Sequence, residues 1–138
     1  QFNELKRRFG WEWNGMRLHE YYFGNMSKAP EIFSPESAIG KKLTAAFGSY
    51  ENWEKDFRAA GAIRGIGWVV LAEDLMSGKL FNVWINEHDA GPLAGARILL
   101  AMDVFEHAFM LDYGLKRADY IESFFKALDW EAVSARFS

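Results

Sequence analysis

The sequence predicts an α+β domain in which N-terminal helices are followed by a three-stranded antiparallel sheet and C-terminal helices. Three observations predict it. Apolar side chains recur at mixed three-and-four spacing through the first half. From Gly67 onward the chain turns β-rich, and one stretch alternates with period two. Near the end the helical period returns. Helices first, a small sheet next and helix last is the α+β order.

Each element has its own signal. Residues from about Trp13 to Met26 carry aromatic and apolar side chains at helical spacing, with Gly24 and Asn25 as stop signals. Ser34-Pro35 reads as the start of a second helix, Ser as N-cap and Pro at the first helical position, with the stripe Ile39, Leu43, Ala46 and Phe47. Ser49 is placed to cap a third helix that buries Trp53, Phe57 and Ala60. Gly67 to Ala72 reads as a strand, Met76 to Lys79 as a turn, and Leu80 to Asn86 as the returning strand. The apolar run Ile98 to Met102 predicts a third, buried strand. Asp119 to Leu128 closes the chain as a helix with Tyr120, Ile121, Phe124, Phe125 and Leu128 on one side.

Composition narrows the function classes. Half of the 138 residues are hydrophobic, which is ample for a packed core and argues against disorder. The net charge is −3 and the Lys and Arg residues are scattered among acids, so no basic face for nucleic acid is expected. No apolar run approaches the ~18–20 residues needed to cross a bilayer. The absence of cysteine excludes disulfides and thiolate metal sites. No signal peptide is evident, and a cytoplasmic location is the expectation. Gln1 opens directly into a helix without a cap, so further residues are expected before it.

The chain has three histidines: His19, His88 and His107. Histidine is the commonest neutral metal ligand. A lone histidine on an aromatic helix is more often a satisfied core residue. Asp103 and His107 say more as a pair, because they lie four apart directly after the buried apolar run. One helical turn would put both side chains on one side. A carboxylate and an imidazole buried together need a cation or each other. On spacing alone, an Asp–His hydrogen bond and a metal site for iron or manganese both remain open. His19-Glu20 lacks the second histidine of a zincin. Gly61, Gly65 and Gly67 do not form a phosphate loop and instead suit tight packing before the first strand.

The segment Asp103-Val104-Phe105-Glu106-His107-Ala108-Phe109, with Tyr113 four residues on, resembles the D-x-W-E-H-A-Y-x-x-x-Y signature of iron/manganese superoxide dismutases. Arg117 to Ile121 is similar to the family's R-x-D-Y-I, and Asp129 to Val133 to its closing segment. Upstream, Asn14 to Phe23 resembles the segment N-x-x-x-x-N-H-x-x-F-W that carries a histidine ligand. Phe47-Gly48-Ser49, Phe57, Gly65 to Trp68 and the loop Asn86 to Leu93 follow other family elements. The resemblance covers nearly the whole chain.

The resemblance implies the following. His19, Asp103 and His107 would be ligands to one iron or manganese ion per chain. His88 would hydrogen-bond the metal-bound solvent without being a ligand. Trp68 would wall the site, and Glu106 would reach across a homodimer interface to the partner's ligand histidine. Superoxide would be the substrate, converted to O2 and H2O2. Residues 1–30 would be the remainder of an N-terminal helical hairpin domain and 31–138 the C-terminal α+β domain. The family's first histidine ligand and its gateway tyrosine would precede Gln1. Exposed aromatics around Tyr113 and Tyr120 would join the dimer contact. Phe105 replaces the signature Trp, while Phe109 and Met110 stand where the family has tyrosines, thinning the polar relay. The alternative is therefore a metal-binding superoxide dismutase-like protein with little or no dismutase activity. Gly15 together with His88 belongs cleanly to neither the iron nor the manganese pattern.

Overall fold

The fold is described from a computed structural model, which covers residues 2–89 and 93–137. Helix α1 spans Phe2–Gly24, α2 Ala38–Phe47 and α3 Tyr50–Gly61. Strands β1 (Gly67–Asp74), β2 (Leu80–Asn86) and β3 (Ala96–Asp103) follow. A 3-10 helix at Glu106–Ala108 leads into α4 (Met110–Tyr113), α5 (Arg117–Ala127) and α6 (Trp130–Phe137). The α+β order expected from the sequence is borne out.

The sheet is antiparallel with order β2-β1-β3. Central β1 is buried along almost its whole length, as its run of Val, Leu and Ala requires. Helix α3 packs on β1 and β2, while α1 and α6 pack on β3. The core joins Trp53, Phe57, Trp68, Leu71, Leu99 and Leu100. Register places Trp68 directly opposite Asp103 across the β1–β3 pair.

Several boundaries differ from expectation. Helix α1 begins well before Trp13 and ends at Gly24. The second helix does not start at Ser34-Pro35. Its N-cap is Ser37, whose hydroxyl accepts from the Gly40 amide at 3.0 Å, and Ser34 instead accepts from the Ser37 amide in the turn before it. Ala46 is exposed, so the α2 stripe is narrower than its sequence suggests. Ser49 does cap α3, accepting from Asn52. In β2 both Leu80 and Ile85 are buried although an odd spacing separates them, and α2 and α3 both pack against that strand. The loop resembling the family's segment from Asn86 includes residues 90–92, which lie outside the described residues. No helix among the described residues is long and apolar enough to cross a membrane.

Candidate metal centre

Three donor atoms from three different elements converge. His19 lies on α1, Asp103 ends β3, and His107 sits in the 3-10 helix. His19 Nε2 is 3.3 Å from Asp103 Oδ2 and 3.4 Å from His107 Nε2. His107 Nε2 is 2.7 Å from Asp103 Oδ2. With metal–ligand bonds of roughly 2.1 Å, neighbouring donors on a coordination polyhedron lie about 3.0–3.6 Å apart. The two separations from His19 fall in that range; the third, His107 Nε2 to Asp103 Oδ2, is that of a direct hydrogen bond, and all three atoms lie close enough together to face one ion. Two imidazoles and a carboxylate form an N/O donor set that suits iron or manganese.

Asp103 and His107 do not share a helical turn, as their spacing suggested. Asp103 ends a strand and Val104 and Phe105 stay extended or irregular, so the side chains meet around a corner. That corner is held from outside. Arg117 donates to the carbonyls of Gly65 and Val104, at 2.6 and 3.0 Å, and to Ile63 at 2.6 Å.

Each donor is oriented by a neighbour. His19 Nδ1 lies 2.6 Å from the carbonyl of Gly15, one turn earlier on α1. A carbonyl only accepts, so Nδ1 carries the proton and the Nε2 lone pair faces the other donors. Asp103 Oδ1 accepts from the Phe105 amide at 2.9 Å, leaving Oδ2 for the centre. Asp103 is almost wholly buried, and burial pushes its carboxyl up. An ionised carboxylate there calls for a cation. His107 stacks on Phe105, with rings 5.2 Å apart and nearly parallel.

Trp68 is fully buried, its ring edge-on to His19 at 4.9 Å. Its indole N–H donates to His88 Nδ1 at 3.0 Å. Nδ1 therefore accepts, and the neutral His88 ring carries its proton on Nε2. Burial holds His88 below the usual histidine range, which favours that neutral ring. A Cβ on Gly15 would lie 3.1 Å from both Nε2 and Cδ2 of His88, so the ring packs where another residue's side chain would stand. Glu87, just before it, has φ 48°, a left-handed backbone conformation directly after β2. His88 does not join the three donors. It stands behind His19, with ring centroids 6.2 Å apart.

Glu106 is exposed beside the site. Tyr113 is half-buried, but Tyr120, expected on the surface, is buried. Its hydroxyl is 2.6 Å from the Asp103 carbonyl, so it serves the interior of this chain and no exposed contact. Nothing in the sequence pairs Tyr120 with Asp103, or Asn14 with the His88 carbonyl to which it donates at 2.9 Å. Both contacts join segments distant in sequence.

Residues 35–136 match the family model for iron/manganese superoxide dismutases, C-terminal domain. A superoxide dismutase [Mn] of Haloferax volcanii is 41% identical over 125 residues, covering 90% of this chain and 61% of that protein. A superoxide dismutase [Fe] of Cupriavidus metallidurans is 36% identical over 138 residues, covering 99% of this chain and 68% of that protein. A superoxide dismutase [Fe] of Methanothermobacter thermautotrophicus is 36% identical over 125 residues, 89% of this chain and 61% of its own length. The chain thus spans about three fifths to two thirds of these relatives' lengths. On this match and these identities, the chain belongs to the iron/manganese superoxide dismutase family.

Proposed function

We propose that this chain carries the larger part of a superoxide dismutase centre, with His19, Asp103 and His107 as ligands to one iron or manganese ion. The convergence of His19 Nε2, Asp103 Oδ2 and His107 Nε2 carries the reading. The bound metal would supply a one-electron M(III)/M(II) couple, oxidising one superoxide to O2 and reducing the next, with two protons, to H2O2. The chain's own residues define the surroundings. Asp103 brings one negative charge, which favours the trivalent state. His88, locked as the Nε2–H tautomer, offers a donor on the His19 side of the site. Trp68 keeps that wall dry.

The start of the family match at residue 35 supports reading residues 1–30 as the remainder of an N-terminal helical hairpin domain and 31–138 as the C-terminal domain. We further propose a homodimer in which Glu106 reaches the partner's ligand histidine. Glu106 is exposed, and Leu111 and Leu115 nearby in the chain are more than nine-tenths exposed, which supports a contact there. A monomer at micromolar concentration would rule it out.

A second reading, a metal-binding relative with little turnover, is supported by Phe109. It is buried against Tyr120 beneath the Arg117 guanidinium and has no hydroxyl to pass a proton. Metal analysis with a superoxide-dismutase assay on the intact protein decides between the two. About one iron or manganese per chain with high activity supports the enzyme. Metal without activity supports the second reading, and no metal overturns both.

A further inference from the structure

Two phenols join the helix that carries His19 to the strand end that carries Asp103. Tyr22 lies three residues after His19 on α1, and Tyr120 lies on α5. The Tyr120 oxygen is 2.6 Å from the Asp103 carbonyl and 3.0 Å from the Tyr22 oxygen. A phenol has one proton and a carbonyl can only accept. Tyr120 therefore donates to Asp103, and Tyr22 donates to Tyr120. Both side chains are buried. Burial pushes both phenols up, so each remains a donor at any ordinary pH. The Tyr22 ring is stacked on Phe124 of α5 at 6.0 Å and nearly parallel to it, which fixes where its hydroxyl points. The family pattern that this segment resembles has Phe where this chain has Tyr22, so the Tyr22 hydroxyl is a departure from that pattern.

We propose that Tyr22 and Tyr120 are positioning residues that set the separation of His19 from Asp103, an inference that rests on the metal-centre reading above. The physical reason is that the donors sit on separate elements. The His19 backbone moves with α1 and Asp103 with the end of β3, and another polar tie between the two elements, through Arg136, meets β3 at Leu99, four residues before Asp103. The link ties the two elements one helical turn from His19 and at the backbone of Asp103 itself. Without it, a shift of a few tenths of an ångström at either end would change the donor triangle without unfolding the core. Outer contacts of this kind typically change metal affinity 10–100-fold.

The test uses full-length protein with Co(II) and Mn(II) as probes. Affinities, the visible d–d spectrum of the Co(II) form and metal-free thermal melts are measured for the unaltered protein, Tyr22→Phe, Tyr120→Phe and the double variant. Tyr22→Phe matches the family residue and keeps the stacked ring, so it folds even if Tyr120→Phe does not. The expected result is roughly ten-fold weaker metal binding and a changed Co(II) spectrum for Tyr22→Phe. A larger loss is expected for Tyr120→Phe, and the double variant should resemble Tyr120→Phe alone, because each bond passes through Tyr120. Unchanged affinity and spectrum in Tyr22→Phe, with only the melting temperature moved, would overturn the proposal and leave the pair a core contact. Failure of the unaltered protein to bind either metal would instead overturn the metal-centre reading, and this proposal with it.

Discussion

Replacing Arg136 with Met should destabilise the metal-free protein by about 3 kcal/mol. The guanidinium of α6 donates to the Leu99 carbonyl at 3.0 Å, to the Tyr21 carbonyl at 3.2 Å and to the Asn25 side-chain oxygen. It also lies 4.9 Å from the Tyr21 ring. Among the described residues strand β3 pairs with β1 alone, so the carbonyls on its other edge have no strand partner. Arg136 covers Leu99, and Asn25 donates to Ala101 at 2.5 Å. Methionine keeps the packing of the stem but leaves two buried acceptors, the Leu99 carbonyl and the Asn25 oxygen, without this donor. Each such loss costs about 1–3 kcal/mol. Part is recovered, because a half-buried guanidinium no longer has to be stripped of water. For a chain of this size, 3 kcal/mol lowers Tm by about 9–12 °C. Urea denaturation and a circular-dichroism melt would measure it. A loss under about 1 kcal/mol would refute the reasoning and show that water replaces the guanidinium at that edge.

Gly67→Ala should abolish folding, with a loss above about 3 kcal/mol, because its φ is 143° and a Cβ would lie 1.9 Å from the Ile85 carbonyl oxygen; soluble yield and far-UV dichroism test this. Gly15→Ala is the opposite case. The added carbon meets only the His88 ring, at 3.1 Å, so stability should change by less than about 1 kcal/mol. The Trp68 indole N–H resonance should nevertheless shift as its bond to His88 is disturbed. Metal uptake should weaken in acid. Burial pushes the Asp103 carboxyl up, and a metal takes its ionised form, so binding displaces a proton. Apparent Mn(II) affinity should fall about ten-fold per pH unit per displaced proton below that raised value. Affinity that stays constant down to pH ~4, near the ordinary carboxylate range, would exclude Asp103 as a ligand. In the metal-free protein the sign reverses: the neutral carboxyl is favoured on folding, so its contribution is present in acid and lost as pH rises through the raised value.

The sequence by itself determined the class of fold, because its signals are local. Ser49 could be read as a cap and Gly67 to Ala72 as a strand from neighbours a few residues away. The Asp103 to His107 segment, being contiguous, also carried the family resemblance. Pairing His19 with Asp103 needed that resemblance, since no local periodicity relates residues 84 positions apart (103 minus 19). The tertiary structure alone decided how the donors meet. Local pattern suggested one helical turn for Asp103 and His107, whereas a strand ends at Asp103 because its register is fixed by Trp68 across the sheet. It also decided that Ser37, not Ser34, caps α2, a choice between two good caps that propensity cannot make. Above all it placed Tyr120 indoors, against Asp103 and Tyr22. A tyrosine has both an apolar ring and a polar tip, so composition allows it on either side of the surface. Only the carbonyl waiting at the end of β3 settles which.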